Sequence, residues 1–151
     1  MNIIWHGHSC FEITGKDGTI VFDPYQANSV PGLNSLKLKA NLVLCSHEHD
    51  DHNARNCVEV APKDFKVTCI ETYHDHHQGS HRGKNTIHIV DFEDLKVVHM
   101  GDIGCMMDDV SKLKNCDVLM IPIGGYYTID TKEALKYIER IQPRIVIPMH
   151  Y

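Results

Sequence analysis

The chain has 151 residues, of which 42% are hydrophobic and 23% charged, and its formal net charge is −5 at pH 7. This length and composition are typical of one globular domain, here residues 1–151, and the acidic balance argues against nucleic-acid or membrane binding through surface charge. No stretch approaches the roughly 18 apolar residues of a transmembrane helix, and the first residues lack the pattern of a secretory signal. We therefore expect a cytoplasmic protein that acts on a small molecule.

Short apolar runs rich in valine and isoleucine alternate with Gly, Pro and Asp, which indicates a succession of strands. The first two runs flank a glycine turn and predict a hairpin, and the fifth and sixth predict a second one. His88 and His99 fall in or beside these runs, where we expect a surface and a core position, respectively. In chain order the predicted strands are residues 10–14, 19–22, 42–45, 67–70, 86–90, 95–98, 118–121 and 145–147.

Helix signals are fewer than strand signals. Asp130 or Thr131 can cap a helix that has Glu133 near its third position, and Pro143 ends that helix. Shorter helices are predicted at residues 53–60 and 108–114. Because strands dominate and helices lie between them, the predicted fold class is α/β or α+β with layered sheets.

Several predicted strands end on a polar or chargeable group. Asp23 follows the second strand, His47 follows the third, and His74, Asp102 and His150 follow later strands. If these strand ends meet at one edge of the layers, their side chains form a crevice on a rigid scaffold. The sequence therefore predicts one functional site assembled from strand ends.

Residues 47–52 read His-Glu-His-Asp-Asp-His and are the most informative segment of the chain. In an extended segment, residues two apart point to the same side, so His47 and His49 can bind one ion. After the chain turns, Asp51 and His52 can reach a second position nearby. Imidazole and carboxylate suit Zn²⁺, Mn²⁺, Fe²⁺ or Ni²⁺, and a motif without thiolates favours a catalytic site over a structural zinc site.

Residues 47–52 resemble the HxHxDH signature of the metallo-β-lactamase superfamily. Within that superfamily the chain is most similar to the branch that contains ascorbate-6-phosphate lactonase, because residues 6–13 and 20–24 resemble the first hairpin of that branch. The resemblance covers the whole chain and implies the metallo-β-lactamase αββα sandwich. The positions that match the family's third histidine, its bridging aspartate and its final histidine are His74, Asp102 and His150.

The resemblance implies two divalent metal ions, with Zn²⁺ favoured and Mn²⁺, Fe²⁺ and Ni²⁺ open. In the family such ions hold a hydroxide that attacks carbon or phosphorus, which implies a metal-dependent hydrolase of a small ester, lactone or phosphodiester. There are two alternatives to this hydrolase: a nuclease of the same fold and a metal-binding protein that has lost turnover. The implied ligands are His47, His49 and His74 for the first ion and Asp51, His52 and His150 for the second, with Asp102 bridging.

Other residues near these ligands have candidate roles. Asp51 is also a candidate proton donor to the leaving group, and His8 is a candidate catalytic residue for which a structural role is equally open. His76 is a rival of His74 for the third ligand position, although the family pattern favours His74. Asp23 is predicted to orient a ligand imidazole.

Two glycine-containing loops are candidates for substrate contact. The basic loop at residues 79–85 offers Arg82, Lys84 and Asn85, which can clasp a phosphate or a carboxylate; an ordinary solvated turn is equally open. The second loop, at residues 121–128, offers Tyr126 or Tyr127 as a wall of the substrate pocket.

The chain differs from the family pattern at its C-terminus. Proteins of this branch continue past the final histidine, whereas this chain ends at Tyr151. We therefore expect the C-terminal part of the fold to be missing, and the second metal site to be less firmly built than the first. A flank left exposed in this way would favour self-association into a homo-oligomer.

Overall fold

The computed structural model describes residues 1–151 and contains two main β-sheets, a small two-stranded sheet and one α-helix. No helix is long and apolar enough to cross a membrane. The strands are β1 (Asn2–Gly7), β2 (Cys10–Gly15), β3 (Gly18–Phe22), β4 (Leu38–Ala40), β5 (Leu42–Leu44), β6 (Val58–Val60), β7 (Lys66–Tyr73), β8 (Lys84–Phe92), β9 (Leu95–His99), β10 (Val118–Pro122) and β11 (Ile145–Met149), and the helix is α1 (Thr131–Ile141).

Both main sheets are mixed. The first has the order β1-β2-β3-β5, in which β5 alone is parallel to its neighbour. The second has the order β11-β10-β9-β8-β7, in which β7, β8 and β9 are antiparallel and β9, β10 and β11 are parallel. The small sheet pairs β4 with β6 in parallel. The predicted class, α/β or α+β with layered sheets, is confirmed, in a form rich in strands and poor in helices.

Three apolar clusters define the layers of the fold. The central cluster joins the two main sheets, with Phe11 and Phe22 of the first sheet packed among Phe92 and Met120 of the second. Helix α1 covers the outer face of the second sheet with an apolar stripe that includes Tyr137. The third cluster covers the outer face of the first sheet, where irregular chain and the small sheet stand in place of a helix.

The prediction of a capped helix after Asp130 is confirmed by α1. The Asp130 side chain accepts a hydrogen bond from the Glu133 backbone N–H at 2.8 Å, and the Glu133 side chain accepts one from the Asp130 N–H at 3.0 Å. The predicted helices at 53–60 and 108–114 are wrong, because the chain forms only short 3₁₀ turns there. Residues 58–60 instead form β6, where pairing with β4 outweighs the local helical signal.

The expected surface position of His88 is also wrong. His88 lies in β8, an interior strand of the second sheet, and only 4% of its surface is exposed. Burial lowers the pKa of His88 to about 4, with a further lowering by His99 and an opposing effect of Asp23. The imidazole is therefore neutral in the folded protein at pH 7.

Neutral His88 predicts a pH dependence of stability. The pKa of histidine in an unfolded chain is about 6.5. The contribution of neutral His88 to stability is therefore complete above that pH and is lost as the pH falls toward 4. We expect the free energy of unfolding of the metal-free protein to fall between pH 7 and pH 5 by about 2 kcal/mol more than that of His88→Leu. Urea denaturation at both pH values measures the difference, and equal losses in the two proteins would contradict the prediction.

Candidate metal centre

The candidate ligands meet where strands of both sheets end. Residues 47–52 follow β5 of the first sheet, and His8 lies in the turn between β1 and β2. His74, Asp102 and His150 follow β7, β9 and β11 of the second sheet. Because each group sits just beyond a paired strand, the packing of the two sheets fixes their relative positions.

Asp102 lies at the centre of the arrangement. Its Oδ2 atom is 2.9 Å from Nε2 of His150, 3.1 Å from Nε2 of His52 and 3.3 Å from Nε2 of His74. Its side chain is almost completely buried. Burial by itself raises the pKa of Asp102, but His52 and His150 together hold it well below its ordinary value. Asp102 is therefore an ionised carboxylate shared among three imidazoles.

The remaining candidates divide into two sets around Asp102. In each set the potential ligand atoms lie within 4.8 Å of one another, which is a spacing that one metal ion can span. The first set matches the ligands that the family resemblance implies for the first ion. The second set contains the three implied for the second ion and, in addition, His8. The sets are His47, His49 and His74, and His8, Asp51, His52 and His150.

Asp23 and Ser46 orient two of these histidines. Asp23 accepts hydrogen bonds from the backbone N–H and the hydroxyl of Ser46, both at 2.6 Å, and faces Nδ1 of His52 at 2.9 Å. Because the Ser46 hydroxyl donates to Asp23, its oxygen accepts from Nδ1 of His47, 2.9 Å away. Both histidines thus direct Nε2 away from these contacts, which is the usual support of a metal-binding imidazole.

The electrostatics of these side chains fit a divalent cation. Burial lowers the pKa of His47 to about 3, so it is neutral and has a free lone pair. Burial also lowers the pKa of His52, but the neighbouring Asp102 and Asp23 raise it well above the ordinary value. The space between His52 and Asp102 therefore favours positive charge, which a metal ion supplies when it displaces the proton.

Unpartnered ring nitrogens point to the same conclusion. Nε2 of His47 is buried and has no hydrogen-bond partner, and Nε2 of His52 forms no well-aligned hydrogen bond although it lies 3.1 Å from Asp102 Oδ2. Buried polar atoms in a native protein are nearly always satisfied, and a metal ion satisfies imidazole nitrogens. The residues present therefore fit a divalent metal with nitrogen and oxygen ligands.

His76, the rival third ligand, lies outside both sets. Its imidazole is exposed, and Nε2 is 3.5 Å from Oε1 of Glu133 on α1. His74, by contrast, is 2% exposed and faces Asp102. The geometry therefore favours His74 over His76.

The predicted substrate residues are divided among several places. Arg82 and Tyr127 line a cavity of about 210 Å³ together with ligand residues of both sets, and the Arg82 guanidinium lies 5.2 Å from the centre of the Tyr127 ring. Lys84 lines a neighbouring cavity and is 2.9 Å from Glu71. Tyr126 is exposed beside His8 and His150.

Asn85 does not face either cavity. It is fully buried, its Oδ1 accepts from the Asp102 backbone N–H at 2.8 Å, and its Nδ2 donates to Thr72 at 2.9 Å and to the Met100 carbonyl at 3.0 Å. These contacts use the amide within the protein. Asn85 therefore holds the turn that carries Asp102, whereas the sequence predicted that it contacts the substrate.

Asp75 was not identified from the sequence. Its carboxylate is buried and accepts four backbone N–H bonds, from His77, Gly79, His81 and Arg82, at 2.7 to 3.1 Å. Burial opposes ionisation, but these bonds hold the pKa of Asp75 below its ordinary value. The carboxylate closes the basic loop and fixes the backbone of Arg82 beside the cavity. An Asp at the start of a glycine-containing loop is the only local signal for such a contact.

Known proteins are similar to this chain over nearly its whole length. A family model described as the beta-lactamase superfamily domain matches residues 2–150. A UPF0173 metal-dependent hydrolase of Staphylothermus marinus is 31% identical, over 96% of this chain and 81% of its own length. A second protein of that description, from Thermoplasma acidophilum, is 29% identical over all of this chain and 83% of its own length.

A solved structure is similar throughout the chain. The crystal structure of a metallo-beta-lactamase superfamily protein from Thermotoga maritima is 29% identical, with a TM-score of 0.73. The match covers 99% of this chain and 75% of that protein. The match therefore spans both main sheets, and the metallo-β-lactamase fold expected from the sequence is confirmed.

Proposed function

The chain belongs to the beta-lactamase superfamily and is a metal-dependent hydrolase, and we propose that it uses two divalent ions to cleave a small ester, lactone or phosphodiester. The observation that carries this proposal is the position of Asp102 Oδ2, within 3.3 Å of imidazoles from both ligand sets. A single carboxylate oxygen so placed suits a bridge between two ions. Residues 1–151 form the hydrolase domain in this proposal.

The ligand assignment follows the two sets. His47, His49 and His74 hold the first ion, Asp51, His52 and His150 take part in holding the second, and Asp102 is shared. Zn²⁺ is the favoured ion, with Mn²⁺, Fe²⁺ and Ni²⁺ also compatible with nitrogen and oxygen ligands. When bound, the ions supply an activated water and polarise the oxygen of the group to be cleaved.

The protein's own residues position the substrate and move the proton. Asp51 is half-buried and lines the cavity beside Arg82. Burial raises the pKa of Asp51, but contact with His8 lowers it to about 2, so the carboxylate is ionised at neutral pH. We assign to Asp51 Oδ1, the carboxylate oxygen that is not shared with His8 and His52, the uptake of a proton from the attacking water and its delivery to the leaving oxygen. Arg82 orients an anionic part of the substrate, with Tyr127 as the adjoining wall.

A lactone with an anionic substituent is the substrate class that we favour. The resemblance of the first hairpin to the branch containing ascorbate-6-phosphate lactonase supports a lactone. The position of Arg82 in the same cavity as the ligand residues supports a negatively charged group on it. Guanidinium is well suited to phosphate and carboxylate because it offers paired donors.

The hydrolase proposal is tested with metal-loaded protein and a panel of esters, lactones and phosphodiesters. We expect turnover of at least one class, and we expect His49→Ala to lose both metal and turnover. Elemental analysis of untagged protein gives the metal content. The proposal fails if no class is hydrolysed while His49→Ala retains the metal content of the wild type.

Arg82→Gln is expected to raise KM for an anionic substrate by about 10-fold or more, because a hydrogen bond to a charged group contributes about 1.5–3 kcal/mol. The KM of a neutral analogue should change little. Arg144→Gln is the matched control, since Arg144 is exposed and paired with Asp117 at 2.7 Å on another face of the protein. An equal change in KM for the anionic and neutral substrates would contradict the assignment of Arg82.

A further inference from the structure

His8 has an unusual backbone position. It lies in the turn between β1 and β2 with φ of +53°, in the left-handed region that residues other than glycine seldom adopt. Its carbonyl accepts hydrogen bonds from Trp5 Nε1 at 3.0 Å and from the His150 backbone N–H at 3.5 Å. These contacts hold the backbone so that the imidazole packs against His150 and His52, with ring centres 4.2 and 4.9 Å away.

We propose that His8 is a fifth protein ligand of the second metal ion, beside Asp51, His52, His150 and the shared Asp102, an inference that rests on the binuclear site of the proposed function. The potential ligand atoms of His8, Asp51, His52 and His150 lie within 4.8 Å of one another. Nε2 of His8 is 3.1 Å from Oδ2 of Asp51, and Nε2 of His52 is 3.6 Å from the same oxygen. His8 and His52 thus flank one carboxylate oxygen from two sides.

These separations suit neighbouring ligands of one ion. Nitrogen and oxygen ligands lie about 2.0–2.2 Å from Zn²⁺, so two of them at tetrahedral or octahedral angles are roughly 3–3.6 Å apart. A hydrogen bond between His8 and Asp51 has a similar length, so this distance alone does not separate the two roles. The two roles differ in what they require of the other side chains. A hydrogen bond to Asp51 does not require the His8 imidazole to lie close to His52 and His150, whereas a shared ion does, and His8 lies close to all three.

The position of His8 relative to the cavity also favours a ligand over a catalytic acid or base. The cavity that contains Arg82 is lined by Asp51, Asp102 and His150 but not by His8. The His8 side chain is 14% exposed and lines a separate, adjoining cavity beside Tyr126. A proton carrier must reach the reacting group, whereas a ligand needs only to reach the ion.

This assignment makes the two metal sites unequal. The first ion would have three imidazoles and the shared Asp102, which matches tetrahedral coordination. The second would have His8, Asp51, His52 and His150 as well as Asp102, which matches five-coordinate geometry. A fifth protein donor favours an ion that accepts more than four ligands.

The test is Co²⁺ titration of untagged protein, followed by visible absorption and by elemental analysis of metal per chain. The variant is His8→Asn, because asparagine tolerates the left-handed backbone but is too short to reach the ion. The control is His6→Ala, since His6 lies two residues away in β1 and its Nε2 contacts Glu12 at 2.9 Å. Circular dichroism verifies that both variants fold.

We expect the wild type and His6→Ala to bind two Co²⁺ ions with the same spectrum. His8→Asn should bind one of the two at least about 10-fold more weakly. Removal of a residue that only hydrogen-bonds to a metal ligand already causes a loss of that size. The spectrum of that site should also change to that of a lower coordination number.

The proposal is overturned if His8→Asn binds two ions with wild-type affinity and spectrum, and a loss of hydrolysis in that protein would identify His8 as a proton carrier. Binding of fewer than two ions by the wild type would overturn both this proposal and the binuclear site. Two ions without hydrolysis of any substrate in the panel would contradict the hydrolase proposal alone.

Discussion

Asp102→Ala is expected to remove metal from both sites and to lower hydrolysis by about 1,000-fold or more. Asp102 Oδ2 faces imidazoles of both ligand sets, so on the proposed assignment its loss leaves each ion without a shared anionic ligand. The ions stabilise the charge that develops in the transition state by several kcal/mol, and about 4 kcal/mol corresponds to 1,000-fold in rate. Metal per chain and kcat/KM on the best substrate of the panel measure the effect.

His150→Ala provides the contrast for this experiment. His150 belongs to the second ligand set, so its loss should reduce metal content from two ions to one. Asp109→Ala serves as the control because Asp109 is exposed, lies outside both ligand sets and accepts hydrogen bonds from nearby Ser111. Retention of two ions by Asp102→Ala would refute the bridging role, and identical metal loss in Asp102→Ala and His150→Ala would indicate that Asp102 serves one site only.

Gly101→Ala should destabilise the metal-free protein by about 2–5 kcal/mol. Gly101 has φ of +56°, and a Cβ atom there would lie 2.3 Å from Asn85 Oδ1 and 2.4 Å from Ser46 Cβ. The left-handed backbone costs a residue with a side chain about 1–2 kcal/mol, and overpacking of a buried site adds about 1–3 kcal/mol. The free energy of unfolding from urea denaturation gives the total.

The matched control is Gly32→Ala. Gly32 also has a positive φ, +81°, but no atom lies within 4 Å of a Cβ placed there. This variant should therefore show the backbone cost alone, about 1–2 kcal/mol. Equal destabilisation by the two substitutions would mean that the close packing around Gly101 contributes nothing measurable.

The sequence predicted best those features that depend on neighbouring residues. The hairpins and α1 follow from local periodicity and capping, and the cluster at residues 47–52 is visible because its ligands are adjacent in the chain. Residues 53–60 show the limit of such patterns. Their conformation is decided by the pairing of β6 with β4, some 20 residues earlier in the sequence.

The same limit applies within the site. Arg82 and Asn85 lie three residues apart in a loop predicted to contact substrate, yet Arg82 lines the cavity and Asn85 is buried under the Asp102 turn. Which of them faces the cavity depends on where β8 begins and on the Thr72 side chain that meets Asn85. Such contacts join distant parts of the chain, so no local pattern reports them.

The origin of the ligands in both sheets has a consequence for the life of the protein. On the proposed assignment, each ion joins ligands that follow strands of the first sheet to ligands that follow strands of the second. Metal binding and the packing of the sheets are then thermodynamically linked, and free metal at 100 times Kd would add about 2.7 kcal/mol to the folded state for one site. The amount of folded protein in a cell would then follow the supply of the metal, and starvation for that metal would expose the chain to proteolysis.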